Sequence, residues 1–366
     1  MSILYLHSHF VNQFNSAINA INSVYNQYII CCEIPESLEH GSNVIKCGTF
    51  NDRNPMENAI GASRAMTKLR NEGIYPRIIF IHVGDGLGLL ASDIFPESTI
   101  VGYTEWFFKE ATVSNVLRNA LMRKELETCS ICISPTRNQK KQFPINIQKK
   151  IMVMHEGVSP IFQFSVPKEV SMEQSNPPRY IITYVTRGFE PMRCFMEFIY
   201  GINMVLKSRQ DIDVKIVGID KVFYDDNNIS YQNLAIEVLG ENLRHVEFLG
   251  SIANSEVNEL YKISDIHIYY TKDFVLSWSF IEAMMAGCII IGSSSAPVKE
   301  FMEDGKNGYL VNPSDFYRFK DKVNMILSMS NSEKVDIRKS AHNSVKHLTR
   351  ENCGFRWRMF AESLQS

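Results

Sequence analysis

The chain has 366 residues, 45% hydrophobic and 21% charged, with 38 Lys and Arg against 40 Asp and Glu for a formal charge of −2. That length exceeds one typical core and predicts two domains. The balanced, scattered charge argues against nucleic acid as a partner and against a polybasic anchor, leaving at most peripheral membrane contact. Most of the eight cysteines are isolated or lie inside apolar runs. Cys129 and Cys132 have ligand-like spacing but no partner pair, and they sit in a strand-like run, so buried thiols are expected there. Residues 2–6 read as a strand with no basic leader or long apolar stretch before it. A reduced, cytoplasmic protein is the expectation.

Apolar runs alternate with helical stretches along the whole chain, which predicts parallel sheets with crossover helices. In the first half, strands are expected at 3–6, 28–32, 78–81, 100–103, 130–133 and 151–154, with the clearest helices at 56–71 and 113–127. Polar residues around Pro177 and Pro178 mark a linker at 169–178, between a first domain at 1–168 and a second at 179–349. Strands of the second half are expected at 180–185, 214–217, 246–249, 266–270, 289–291 and 309–311. From Ser332 onward the chain reads as helical, and 355–360 is aromatic and basic.

Ligands of doubly wound sheets gather beyond the carboxyl ends of the strands, and this ranks the loops. After the first strand come His7, His9, Asn12 and Gln13. His82 and Asp85 follow the third, and Glu105 and Trp106 follow the fourth. In the second half, Arg187 and Arg193 sit in one loop-to-helix turn, where two guanidinium groups can clamp a diphosphate. Asp211 and Asp213 have the Asp-x-Asp form used by metal-dependent transferases, but they precede a strand, and a surface turn is the better account. Ile252 follows the strand at 246–249. The stretch 271–311 is the richest. Ser277 can cap a helix on which Trp278, Ser279 and Glu282 share one face, and Gly287 ends it before a short buried strand. Free amides, hydroxyls and a carboxylate one turn in suit an anionic, hydroxylated ligand, although a plain capped helix has the same features.

Three motifs in this stretch resemble the donor-binding core of family-4 glycosyltransferases. They are Glu-Ala-Met-Met-Ala-Gly at 282–287, Ala-Pro-Val-Lys-Glu at 296–300 and Asp-Gly-Lys-Asn-Gly at 304–308. Phe-Val-Leu-Ser-Trp-Ser at 274–279 is similar to one subgroup, and ordered matches continue at 3–14, 76–108, 133–144, 154–158 and 183–195. The first Glu of the family pattern is absent, with Phe274 in its place and Asp273 beside it. The resemblance implies a GT-B α/β fold: two doubly wound Rossmann-like domains facing a cleft, with a C-terminal helix at about 350–366 crossing back to the first. It implies a retaining hexosyltransferase that takes a nucleotide-diphosphate sugar, UDP ahead of GDP. The implied acceptor is a glycan, lipid-linked or protein-linked sugar, in polysaccharide or surface-glycan assembly.

No metal or cofactor is expected, because Arg187 and Arg193 would neutralise the leaving diphosphate; Arg193 stands where relatives have Lys. By the same resemblance Glu282 holds the ribose hydroxyls, Ile252 lies at the base and Glu300 lies near the donor. Asp273, Ser277, Trp278 and Ser279, or backbone amides, are left to replace the missing Glu. Asn12 and Gln13 lie where relatives admit the phosphates, Asn12 at a usual glycine position. Glu105 stands about where many relatives carry a catalytic-site His, and His82 is its rival. A non-catalytic sugar-nucleotide-binding partner subunit and a GT-B epimerase are the alternatives, and the oligomeric state is left open.

Overall fold

The structure, a computed structural model, describes residues 2–10, 13–22, 24–34, 43–51, 54–109, 112–159, 179–223 and 229–364. The chain divides into two compact units: Met1–Gly157 with Leu348–Ser366, and Val158–His347. Asn12 and the expected linker at 169–178 lie outside the described residues.

Unit 1 contains β1 (Ser2–His9), β2 (Asn26–Glu33), β3 (Val44–Lys46), β4 (Ile78–His82), β5 (Thr99–Tyr103), β6 (Ile131–Ser134) and β7 (Ile151–Val153). They form one parallel sheet in the order β3-β2-β1-β4-β5-β6-β7. Helices cover both faces of such a sheet, so its inner strands read as unbroken apolar runs. Along β1, Leu4 and Leu6 join one core layer while Ile3 and Tyr5 join the other, as the two-residue strand period requires. The edge strand β3 has three half-exposed or exposed residues and gives no such run, so the sequence pattern passes over it.

The helix Arg350–Ser363 starts at Thr349, whose side chain accepts from the Asn352 amide. It lies so close to the helix Asn15–Ile21 that a Cβ on Gly354 would stand 2.8 Å from the Ser16 carbonyl oxygen. Trp357 is fully buried among Phe14, Phe80 and Tyr103, and its indole N–H donates to the His155 carbonyl at 3.3 Å.

Unit 2 contains β8 (Tyr180–Gly188), β9 (Ile212–Ile219), β10 (Val246–Gly250), β11 (Ile266–Tyr269), β12 (Ile290–Ser293) and β13 (Tyr309–Val311). Its parallel order is β10-β9-β8-β11-β12-β13. Strand β8 runs past the expected end at Val185 through a register shift, which puts Arg187 on the strand rather than in the loop after it. The helix Trp278–Met285 begins as expected, with Ser277 Oγ accepting from the Ser279 amide at 3.3 Å. Gly287 stops it at φ +76°, a backbone conformation that favours glycine.

The strand order reverses between β1 and β4 in unit 1 and between β8 and β11 in unit 2. Each reversal opens a crevice beyond the carboxyl ends of the strands that flank it. Among the described residues no helix is long and apolar enough to cross a membrane.

Candidate active site

At the unit 1 reversal, the ends of β1, β4 and β5 bring five polar side chains into one chain of contacts. The His9 amide donates to His7 Nδ1 at 3.0 Å, which leaves the His7 proton on Nε2 to be donated to Gln13 Oε1 at 2.6 Å. Gln13 Nε2 in turn donates to Glu105 Oε1 at 2.7 Å. Glu105 Oε2 lies 3.8 Å from His82 Nε2, while His82 Nδ1 lies 3.1 Å from Asp85 Oδ2. The same Asp85 oxygen accepts from the Ser8 amide. The His7 and His82 rings approach to 4.6 Å, and Tyr103 stacks behind His82 with its hydroxyl donating to Glu156 at 2.7 Å.

Burial and charge set the protonation of this group. Burial alone lowers the His82 pKa, but the carboxylates of Asp85 and Glu105 outweigh it and hold the imidazole well above its usual value. Burial would raise Asp85, yet the charged His82 keeps it below the ordinary carboxylate range. Glu105 is lowered in the same way, against burial, by His82 and by Gln13. His7 is pushed down to about 4, first by burial and then by the charge on His82. Near neutral pH the group is therefore Asp85⁻, His82⁺ and Glu105⁻ beside a neutral His7. His82 Nε2 is buried with no hydrogen-bond partner among the described residues.

At the unit 2 reversal the cations meet hydroxyls and rings. The Arg187 guanidinium lies 3.7 Å over the Phe223 ring. Arg193 follows in the tight turn Pro191–Arg193. Its Nη1 donates to Tyr269 Oη at 3.3 Å, Thr271 Oγ1 at 3.0 Å and the Val275 carbonyl at 3.0 Å. The turn ends on Cys194 at φ 49°, the non-glycine residue with positive φ among those described. Such a conformation persists only where its surroundings hold it. Tyr269 Oη also accepts from the Ser277 amide at 2.9 Å, so one hydroxyl joins the β8 turn to the start of the helix Trp278–Met285. Ser277 and Ser279 pair through their hydroxyls at 2.9 Å, and Trp278 and Glu282 are half-buried on the same helix.

The structure also places the remaining expected residues. Asp273, a candidate for the sugar, has Oδ1 accepting from the Ala296 amide at 2.8 Å, at the start of the short helix Ala296–Lys299. Glu300 ends that same helix and Ile252 follows β10, both half-buried. Asp211 pairs with Arg209, and Asp213, within β9, takes a two-pronged bond from Arg179 at 2.7 and 2.6 Å. Among the described residues no His, Cys, Asp and Glu side chains form a group of three or more suited to a metal. The sequence reading passed over Tyr269 and Glu125, whose type and spacing match ordinary core and surface positions. His155 is a satisfied structural histidine, its Nδ1 accepting from the Gly157 amide at 2.9 Å.

Known proteins share this fold. The family described as glycosyl transferases group 1 matches residues 168–343, and the glycosyl transferase family 4 group matches 46–116 and 109–160. Spore coat protein SA of Bacillus subtilis (strain 168) is 28% identical over 178 residues, 45% of this chain and 44% of that protein. The match thus spans less than half of that relative's length. Anabaena HepE, solved in complex with UDP-glucose, has a TM-score of 0.78 at 15% identity, over 99% of this chain and all of its own. Sucrose-phosphate synthase from Thermosynechococcus elongatus also reaches 0.78 at 15% identity, covering all of this chain and 99% of that one. A glycosyltransferase from Rickettsia africae reaches 0.75 at 16% identity, over all of this chain and 97% of its own. At such identities the structures speak for the fold. Two family matches that between them reach both units support a glycosyltransferase of the family-4 kind, and the solved structures share its GT-B fold.

Proposed function

We propose that the protein is a retaining, metal-independent glycosyltransferase of the cytoplasm. It moves a sugar from a nucleotide-diphosphate sugar, UDP ahead of GDP, to a sugar or glycan acceptor in polysaccharide or surface-glycan assembly. One observation carries this reading: each unit gathers its polar chemistry at its strand-order reversal, cations and hydroxyls in unit 2 and an ionised carboxylate beside an imidazolium in unit 1. The similarity in fold to HepE, solved with UDP-glucose and with UDP, supports UDP as the carrier.

As the glycosidic bond breaks, charge grows on the diphosphate, and fixed cations lower the barrier. Arg187 and Arg193 take that role. The carboxylates of Asp211 and Asp213 each already answer an arginine, which supports a reaction that does not call on them for a metal. Glu282, one turn into the helix Trp278–Met285, accepts from the ribose hydroxyls, while Ser277, Trp278 and Ser279 line the sugar side. His82, already an imidazolium, has no lone pair with which to act as a base. Glu105 is left to take the acceptor proton or to stabilise positive charge at the reacting carbon.

The test is to incubate purified protein with UDP- and GDP-sugars in EDTA and to follow donor consumption. Turnover of a UDP-sugar is the expected result. Strict dependence on manganese or magnesium would remove the metal-free mechanism, and tight nucleotide binding with no turnover would turn the reading to a non-catalytic partner subunit.

A further inference from the structure

Glu125 belongs to the helix Val113–Thr128 and is fully buried. Its two oxygens are bonded to backbone amides. Oε2 accepts from the Gly84 amide at 2.7 Å and Oε1 from the Gly88 amide at 3.0 Å. One carboxylate thus closes both ends of the loop that follows β4. That loop is otherwise hard to hold, because Gly84 and Gly86 adopt φ +112° and +84°. Any Cβ on Gly86 would stand 2.3 Å from the Pro55 carbonyl oxygen. Inside the loop sits Asp85, which charges His82, and its carbonyl takes a further bond from Asn58 Nδ2 at 2.9 Å.

We propose that Glu125 is the positioning residue of the unit 1 site: by bonding Gly84 and Gly88 it fixes the loop that sets Asp85 against His82 and so the imidazolium against Glu105. The inference rests on the role given above to Glu105 and His82. Glu125 touches none of the reacting groups and acts through the loop. Its own ionisation bears on that grip. Burial pushes its pKa up to about 7, with the Gly84 amide and His82 pulling it down and Asp85 pushing it up. Cys129 Sγ, one turn on, donates to the Glu125 carbonyl rather than to the carboxylate. Ionised, the carboxyl accepts both amides. Protonated, it loses acceptor strength at one of them, and the loop loosens.

Selective labelling of glycine nitrogen gives a readout that needs no enzyme activity. In the native protein the Gly84 and Gly88 amide resonances should shift together in a single titration near pH 7, and flat resonances between pH 5 and 9 would overturn the proposal. In Glu125→Gln the amide group turns a donor toward one of the two N–H groups. Turnover should then fall at least tenfold, UDP affinity should stay within twofold, and the acid limb of the kcat profile near pH 7 should vanish. A folded variant that keeps native kcat and its native pH profile overturns the idea. If the native protein turns over no sugar nucleotide at all, the functional reading fails instead, while the glycine titration still decides the role of Glu125 in the loop.

Discussion

The two strand-order reversals carry charge in opposite ways. In unit 1 the ionised groups answer one another: Asp85, His82 and Glu105 are 16, 14 and 27% exposed and lie within 4 Å of a partner. In unit 2 the cations face rings and hydroxyls, with Arg187 exposed on Phe223 and Arg193 bonded to Tyr269 and Thr271. The first arrangement is fixed before any ligand arrives, because each charge was desolvated against another during folding. On the function proposed above, the second offers its positive charge to a diphosphate. Damage to the first should therefore reach the fold and the rate, and damage to the second should reach affinity.

The largest expected effect breaks the internal pairing. Asp85→Asn leaves a buried imidazolium short of its nearest anion and should destabilise the protein by about 3–5 kcal/mol in denaturant unfolding. A loss below about 1 kcal/mol would mean that the two regions do not differ as described. Next comes Glu105→Gln, for which turnover should drop roughly 100-fold while nucleotide affinity stays nearly native. Matching losses of rate, binding and melting temperature would make Glu105 a structural partner of His82 and nothing more.

On the unit 2 side, Arg187→Ala should weaken UDP and GDP alike by about 1.5–3 kcal/mol, the scale of one charge-assisted contact, with melting unchanged. Calorimetry on both nucleotides checks this. Glu282→Gln should weaken UDP even without its sugar, by about 1 kcal/mol. Unchanged UDP binding with collapsed turnover would move Glu282 to the sugar. The smallest effect is in pH. Because the His82 pKa is raised on folding, its stabilisation is complete below about pH 6.5 and fades as pH climbs through the raised value. His7, held near 4, works oppositely, favouring the unfolded chain as pH falls from about 6.5 toward 4. Melting scans across pH should show the alkaline decline in the native protein and lose it in Asp85→Asn.

The buried strands and the capped helix at Ser277 were legible because local pattern decides them: unbroken apolar runs, a serine, and a glycine stop. Strand β3 was not, since three half-exposed edge residues carry no pattern. The strand ends and turns that hold His82, Glu105 and the two arginines could be ranked by the carboxyl-end rule without coordinates, although Arg187 lies on β8 itself. Their bonding could not. Asp273 and Glu282 look equivalent as acidic residues near one helix, yet Asp273 is tied to the Ala296 amide. Glu125 and Glu127 are two residues apart, and only the fold buries the first on two glycine amides while the second meets Lys124 at the surface. Protonation was equally hidden, because the sequence left His82 and Glu105 as rivals where three-dimensional contact makes them one ion pair.

Trp357 and Gly354 have a consequence for synthesis. The sheet face that Trp357 covers belongs to strands made early, whereas the helix that carries it is made only after all of Val158–His347. At ribosomal speeds of about 5–20 residues per second, that face waits on the order of ten seconds or more for its cover. Unit 2, one continuous segment, is made in that interval. Nascent unit 1 meanwhile exposes Phe14, Phe80 and Tyr103 to chaperones and to its own neighbours on the polysome.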